Sequence, residues 1–210
     1  ATLSGKNSVK VDDKDEYQAK NILIAAGSDV IELPFAKFDG EHIISSTEAL
    51  ELQEVPQHLI VIGAGVIGLE LGSVWRRLGA KVSVIDVADK PLAVMDSDLG
   101  KEAQKLFTKQ GLEFYMNSKV SGVNVEDGNV NVEFEDNAGE VKKLNGDKVL
   151  VAVGRKPNTK GLNLEAAGVE VDERGFIKVD EHFKTSCDSI FAVGDCAPGP
   201  MLAHKGEEEG

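Results

Sequence analysis

Three glycines and one carboxylate in the first half of the sequence are spaced as in sites that hold a phosphate and a ribose. Gly63, Gly65 and Gly68 form a GxGxxG pattern. Asp86 follows at about the 20-residue offset at which an acidic side chain meets ribose hydroxyls. Because glycine is common here, at 22 of 210 residues, the pattern gains weight only from the elements around it.

The sequence on either side supplies those elements. Residues 59–62 are a short apolar run typical of a buried parallel strand, and 66–78 carry apolar residues at helical spacing, with Gly79 as the expected cap. Residues 81–86 alternate as a second strand. This order predicts dinucleotide binding, with the helix N-terminus facing the phosphates. Two alternatives stay open: a glycine loop in an ordinary α/β core, and a solvated strand end at Asp86.

The identity of the acidic residue favours NAD over NADP. The Asp86 carboxylate accepts hydrogen bonds from a free ribose diol and repels a 2′-phosphate. The following segment, 87–92, contains only Lys90 as a cation and no arginine. We therefore expect no clamp for that phosphate.

Composition narrows the classes of partner. The formal net charge of −13 disfavours nucleic acid and anionic membranes, because both need a basic protein surface. No apolar run approaches the roughly 18 residues of a membrane span, and the first residues lack the apolar stretch of a signal peptide. Neither the two cysteines, Cys187 and Cys196, nor the four histidines have metal-ligand spacing, so we expect reduced thiols and no metal site.

The rest of the chain predicts a mixed α/β protein. Ser45 to Leu50 has the signature of a capped helix, with Glu48 three residues after Ser45, and 97–110 has helical spacing. From Lys119 the period changes to two, which predicts an antiparallel β meander. Apolar strands are expected up to Gly154 and over 190–193. Near the start, "NSVKV" and "NILIAAGS" are expected to be two strands around an acidic turn over 12–16, the second ending at Gly27.

Several segments, in this order, carry a resemblance to a known family: "AAGS", "GAGVIGLELGSVWRRLG", "VGRKPNT", "IFAVGDC" and "MLAHKGEEEG". The chain resembles the flavin-dependent pyridine nucleotide–disulfide oxidoreductases over essentially its whole length. The "ELGSVWRRLG" and "MLAHK" segments resemble the member that oxidises dihydrolipoamide more than the glutathione, thioredoxin or mercuric reductases. The resemblance implies an oxidoreductase that passes electrons from dihydrolipoamide through a cysteine disulfide and FAD to NAD.

The resemblance also implies an architecture and a setting. A Rossmann-like NAD-binding domain, a parallel sheet plus the meander, is expected over 37–157, with partial FAD-binding segments at 1–36 and 158–210. The implied partner is dihydrolipoamide on a lipoyl domain of a 2-oxo acid dehydrogenase complex. A homodimer is implied as well, in the bacterial cytoplasm or the mitochondrial matrix.

Carried over residue by residue, the resemblance implies two groups of binding positions. NAD contacts would come from Gly63, Gly65, Val66, Ile67, Gly68, Glu70, Asp86, Val120 and Gly154. FAD contacts would come from Ala26, Gly27, Ser28, Asp195, Met201, Leu202, Ala203 and His204. No catalytic residue is implied within the chain.

The chain departs from the family pattern in four places. "AAGS" stands where "ATGS" is usual, which removes one hydroxyl. The family's amino-terminal GxGxxG, its CxxxxC redox pair and its carboxy-terminal His/Glu dyad have no counterpart here. We therefore expect an inactive central fragment of such an enzyme. The alternatives are a related NAD(P)H-dependent flavoprotein disulfide reductase and a non-catalytic nucleotide-binding module.

Overall fold

The structure, a computed structural model, describes residues 1–12 and 14–210. The described strands, in chain order, are β1 (Thr2–Gly5), β2 (Ser8–Val11), β3 (Asp15–Gln18), β4 (Ile22–Ile24), β5 (Ser28–Val30), β6 (Ile43–Ile44), β7 (His58–Ile62), β8 (Lys81–Ile85), β9 (Leu112–Tyr115), β10 (Lys119–Glu126), β11 (Asn129–Glu135), β12 (Val141–Gly146), β13 (Lys148–Val151), β14 (Arg155–Pro157) and β15 (Ile190–Ala192). The α-helices are α1 (Ser46–Glu51), α2 (Val66–Leu78), α3 (Ser97–Lys109) and α4 (Ala203–Glu209), and short 3-10 helices span Leu164–Ala167 and Gly194–Cys196.

The chain forms two compact units. One unit is residues 30–154, and the other combines residues 1–29 with 155–210. The domain boundaries expected from the sequence lie slightly later, at 36 and 157. The segment 30–36 groups with the first unit because Leu33 and the fully buried Ala36 pack in its core. The assignment of either unit to a cofactor stays a prediction.

A five-stranded parallel sheet lies at the centre of unit 30–154. Its strand order is β6–β13–β7–β8–β9. In the pairing of β7 with β8, Ile62 lies opposite Ile85. The residues that follow, Gly63 and Asp86, therefore leave the sheet side by side at the carboxyl edge, where ligands bind in open α/β sheets.

Both faces of this sheet are covered. Helices α1 and α2 cover one face, and their buried side chains pack against the sheet around Trp75, whose indole N–H donates to the Ala49 carbonyl at 3.1 Å. The antiparallel meander β10–β11–β12 covers the other face through Val123, Val132 and Phe134. The predicted fold class, a parallel sheet with an antiparallel meander, is confirmed.

Local signals explain the first two helices. The Ser45 hydroxyl accepts from the Thr47 N–H at 3.1 Å, and the Glu48 carboxylate accepts from the Ser45 N–H at 2.8 Å. The Ser45 side chain also accepts from the backbone N–H of Glu48, and these reciprocal bonds between Ser45 and Glu48 form the predicted capping box. The hydrogen bond from the Ser45 hydroxyl also lowers the pKa of Glu48. Helix α2 ends at Gly79, whose N–H caps the carbonyls of the last turn.

The unit of residues 1–29 and 155–210 contains only small sheets within its described residues. Strands β1–β2–β3 form an antiparallel sheet, β4 pairs in parallel with β15, and β5 pairs with β14. Its core is a cluster of apolar side chains from these strands and the loops after β14: Leu3, Ile24, Leu164, Ala167, Val169, Ile177, Cys187, Ile190, Ala192 and Cys196. Among the described residues, no helix has the length and apolar character needed to cross a bilayer.

The predicted arrangement near the start of the chain is wrong in two details. Asp15–Gln18 forms strand β3, which pairs with β2, although an acidic turn was expected over 12–16. Asp13, in that predicted turn, lies outside the described residues. Strand β4 ends at Ile24, before the expected Gly27. All four residues of β3 are exposed, so the sequence has no alternation of apolar and polar residues there. The strand forms through its hydrogen bonds to β2.

Candidate functional site

The glycine turn between β7 and α2 is shaped by two close approaches. A β-carbon at Gly63, whose φ is +111°, would overlap the carbonyl of Ala152 on the neighbouring strand's exit. A β-carbon at Gly68 would overlap the carbonyl oxygen of Gly63. Gly65 is the N-cap of α2 and provides no side-chain cap, so the first N–H groups of the helix keep their donor capacity. The turn thus brings bare backbone to the edge of the sheet.

The Asp86 carboxylate is fixed against this turn. One oxygen accepts from the Ala64 N–H at 2.6 Å and the other from the Ala88 N–H at 2.8 Å. A carboxylate has about four acceptor positions, so each oxygen keeps capacity for a further donor. The side chain is therefore oriented before any ligand arrives.

A strained residue holds the same turn from its other side. The Leu92 N–H donates to the Ala64 carbonyl at 3.0 Å, and Leu92 adopts a left-handed backbone conformation with φ of +53°. A bulky residue rarely takes this conformation unless its surroundings impose it. Ala64, between the first two glycines, is thus hydrogen-bonded through both its N–H and its carbonyl.

A cavity of about 360 Å³ opens beside the turn and is lined mostly by apolar side chains. Its size is within the range of small-molecule sites. Among the residues expected to contact NAD, Gly63, Asp86 and Val120 line it. Further lining comes from side chains that the sequence did not indicate: Leu33, Phe35, Val87, Ser118, Lys119 and Val153.

The cavity wall also contains a lysine that the sequence next to Asp86 did not indicate. Lys119 lines the cavity. Lys90 pairs with Asp89 at 3.5 Å, and its side-chain stem packs at Gly100 on α3. Lys119 is the first residue of β10, far along the chain from Asp86, so the sequence next to Asp86 did not indicate it.

The other residues expected to bind NAD lie along α2 or after β13. Val66 and Glu70 are exposed on α2, Ile67 is half-buried and Gly68 is buried. Gly154 has φ of +131° and directly follows Val153, which lines the cavity. These positions surround the turn, and their roles stay predictions.

A second arrangement lies in the unit of residues 1–29 and 155–210. The Ser28 hydroxyl donates to the Asp195 carboxylate at 2.5 Å, which brings together two residues expected to bind FAD. Arg155, absent from the expected set, donates from Nε to the Ser28 hydroxyl and from Nη2 to the Ser28 carbonyl, both at 2.7 Å. Neighbouring Asn158 donates to the carbonyls of Ala26 and Gly27, at 3.3 and 2.9 Å.

The remaining residues expected to bind FAD lie at the start of α4. Met201 is half-buried, whereas Leu202, Ala203 and His204 are exposed. The helix is anchored next to Asp195, because Glu209 accepts from the Gly194 N–H at 2.7 Å and pairs with Lys205 at 2.7 Å. This anchor keeps the Met201–His204 segment close to the 3-10 helix that carries Asp195.

The two cysteines and the possible metal ligands bear on the expectations from the sequence. Cys187 and Cys196 are both buried and free, and the Cys196 thiol contacts the Val193 carbonyl at 3.2 Å. Within residues 1–12 and 14–210, no group of three or more His, Cys, Asp and Glu side chains is placed to hold a metal ion.

Comparison with known proteins assigns the family. A family model described as pyridine nucleotide-disulphide oxidoreductase matches residues 1–210. The chain belongs to this family. Members of the pyridine nucleotide-disulphide oxidoreductases use FAD and NAD(P) as cofactors, which agrees with the two cofactors expected from the sequence.

Three relatives show which members of the family the chain is similar to. The chain is 48% identical over 99% of its length to the mitochondrial dihydrolipoyl dehydrogenase of Dictyostelium discoideum, and 48% identical over 98% to dihydrolipoyl dehydrogenase 3 of Pseudomonas putida, covering 44% of each relative. It is 46% identical to the leghemoglobin reductase of Glycine max over its full length, covering 39% of that protein. The chain therefore spans about two fifths of the length of these relatives.

Solved structures of the family share the fold. LpdA from Mycobacterium tuberculosis matches with a TM-score of 0.86 and 29% identity, over 96% of this chain and 44% of that one. The flavoprotein disulfide reductase RclA from Escherichia coli matches with a TM-score of 0.88 and 28% identity, over 99% of this chain and 47% of that one. The recognised family resemblance is thus confirmed.

Proposed function

We propose that residues 30–154 bind NAD, with the adenosine in the cavity beside Asp86 and the pyrophosphate at the N-terminus of α2. The observation that carries this proposal is the Asp86 carboxylate, held by two backbone N–H groups at the wall of an apolar cavity next to the glycine turn. The carboxylate keeps acceptor capacity for the two hydroxyls of a ribose. The apolar lining suits an adenine ring.

In this proposal each part of the turn has one task. Gly63 and Gly68 let the helix begin close to the sheet, and Gly65 leaves space for a pyrophosphate over the free N–H groups of α2. Asp86 binds the ribose diol and disfavours a 2′-phosphate by charge repulsion. Lys119 also lines this cavity.

We further propose that Ala26–Ser28, Asp195 and Met201–His204 form part of a FAD site. Among the described residues one Asp195 oxygen, Oδ1, has no hydrogen-bond partner, and this fits a hydroxyl donor of a polyol chain. Bound FAD would supply two-electron transfer between a dithiol and the nicotinamide. The residues of this chain would hold and orient the flavin and leave the redox step to it.

We propose that these residues are part of a longer protein and that this protein is a dihydrolipoamide dehydrogenase. Support comes from the 48% identity to two such enzymes, each matched over about two fifths of its length. Its substrate would be dihydrolipoamide on a lipoyl domain of a 2-oxo acid dehydrogenase complex. It would act as a homodimer, in the bacterial cytoplasm or the mitochondrial matrix.

The 210 residues by themselves are proposed to lack this activity. Their only cysteines, Cys187 and Cys196, are buried in an apolar core and lack the CxxxxC spacing of the family's redox pair. Structural thiols buried in apolar surroundings are generally inert, whereas reactive cysteines are partly exposed. Electrons from dihydrolipoamide would have no acceptor thiol in this chain.

Calorimetry and spectroscopy on the purified 210-residue chain test the proposal. NAD should bind, the protein should be colourless, and NAD with dihydrolipoamide should yield no NADH. Absence of NAD binding by a folded sample would contradict the proposal for residues 30–154. Flavin absorbance at a stoichiometric level would contradict the proposal that the chain contains only part of a FAD site. NADH production would contradict the proposal that it lacks the redox thiols.

A second candidate is another flavoprotein disulfide reductase, supported by the TM-score of 0.88 to RclA. The lower identity to that protein, 28%, makes it the weaker candidate. Steady-state rates of the full-length protein with dihydrolipoamide and with other disulfide substrates separate the two. A non-catalytic nucleotide-binding module would show NAD binding and no turnover even at full length.

A further inference from the structure

Arg155 is connected to Asp195 through the hydroxyl of Ser28. Its guanidinium makes two hydrogen bonds to one residue, from Nε to the Ser28 hydroxyl and from Nη2 to the Ser28 carbonyl, both at 2.7 Å. All three side chains are partly buried. A planar guanidinium fork that meets two acceptors in this way fixes its partner more strictly than a single bond would.

The direction of every proton in this arrangement follows from the chemistry of the groups. A guanidinium only donates, so the Ser28 hydroxyl oxygen accepts from Arg155. The single proton of that hydroxyl is then left for Asp195, whose Oδ2 lies at 2.5 Å. The result is a one-way relay from Arg155 through Ser28 to the Asp195 carboxylate, and Oδ1 stays without a partner among the described residues.

Residues 155–158 also donate hydrogen bonds to the backbone carbonyls of residues 26–28. Ala26 and Gly27 offer their carbonyls to Asn158, and Ser28 offers its carbonyl to Arg155. The turn's acceptors are therefore occupied by residues 155–158. Asp195 Oδ1 is the oxygen of this group that has no hydrogen-bond donor among the described residues, so both of its acceptor positions are open to an incoming hydroxyl.

We propose that Arg155 is a positioning residue of the flavin site, which acts through the Ser28 hydroxyl to present Asp195 Oδ1 to a polyol hydroxyl of the ligand. This inference rests on the proposed FAD site and adds a residue to it. Loss of the guanidinium frees the Ser28 hydroxyl to rotate, and the Asp195 carboxylate then loses its fixed orientation. Affinity for the flavin falls although Arg155 itself does not touch it.

The test is a double-mutant cycle in the full-length protein, with the FAD dissociation constant as the readout. FAD is titrated into the flavin-free protein and binding is followed by flavin fluorescence. Arg155→Met and Ser28→Ala should each raise the dissociation constant about tenfold, the effect of losing one hydrogen bond to a charged group. The double variant should fall well short of the product of the two factors, because both changes break the same relay.

Controls separate this role from simple stability. Lys156→Met removes a neighbouring exposed cation and should leave the dissociation constant unchanged. Arg155→Lys keeps the charge, loses the fork, and should give an intermediate value. A lowered melting temperature with unchanged FAD affinity for Arg155→Met would overturn the inference, as would fully multiplicative effects in the cycle. If Asp195→Asn leaves FAD affinity unchanged, the proposed FAD site fails, which is a separate result.

Discussion

Replacement of Asp86 by asparagine separates the two roles of its carboxylate. The side chain accepts from the N–H groups of Ala64 and Ala88, and its remaining acceptor positions are proposed to bind the ribose diol of NAD. Asparagine keeps one acceptor oxygen and removes the charge. Its NH₂ group faces one backbone N–H and loses that bond.

The expected effects follow from these contacts. Loss of a charged acceptor for the diol should weaken NAD binding by about 1–3 kcal/mol, which is about 5-fold to 140-fold in the dissociation constant. NADP should weaken less or improve, because the repulsion of its 2′-phosphate disappears. The preference for NAD over NADP that we expect of the wild type should therefore shrink in Asp86→Asn.

Isothermal titration calorimetry with both nucleotides at one ionic strength measures the preference. Asp89→Asn is the matched control, since Asp89 lies in the same loop and its exposed carboxylate pairs with Lys90. It should leave both affinities unchanged. Equal affinities for NAD and NADP in the wild type, or an unchanged preference in Asp86→Asn, would refute the proposed role of the carboxylate.

Four further substitutions test the glycine turn, a helix cap and a titrating side chain. Gly68→Ala should destabilise the fold by about 1–3 kcal/mol in urea unfolding, because its β-carbon overlaps the carbonyl oxygen of Gly63. Gly65→Ala has open space around its β-carbon, so it should keep the stability of the fold and weaken NAD binding in calorimetry. Ser45→Ala should cost about 1 kcal/mol through loss of the capping box, and an unchanged urea midpoint would contradict this. Burial lowers the pKa of His58, so the folded state binds its proton less tightly than the unfolded state, and stability present above about pH 6.5 should fall on acidification. His58→Gln should reduce the loss of unfolding free energy between neutral and acidic pH, as measured by urea unfolding. An equal loss in both proteins would show that His58 does not cause the pH dependence.

Local sequence signals were sufficient for the elements that carry the glycine turn. The strand before Gly63, helix α2 up to Gly79 and the capping box at Ser45 all lie where the spacing predicted them. Each depends on residues within about four positions of one another, so the sequence alone contains the whole signal. The meander was predictable for the same reason, because its alternation and turns are local.

Other features depend on contacts between distant parts of the chain. Leu33 and Phe35 line the cavity with Asp86, yet they lie in a segment with no strand or helix period. Strand β3 is wholly exposed and exists through pairing with β2. Arg155 meets Ser28 across 127 positions of sequence. No local pattern encodes such pairs, which is why the sequence did not indicate the contact between Arg155 and Ser28.

Hydrogen–deuterium exchange with and without NAD tests the central proposal most directly. The proposal predicts slower exchange in the presence of NAD in three segments: 62–70 at the glycine turn, 85–88 at Asp86, and 118–120 at the start of β10. Residues 155–210 should exchange at the same rate in both samples. Unchanged exchange at the turn under saturating NAD, or protection confined to residues 1–29 and 155–210, would contradict the assignment of NAD to residues 30–154.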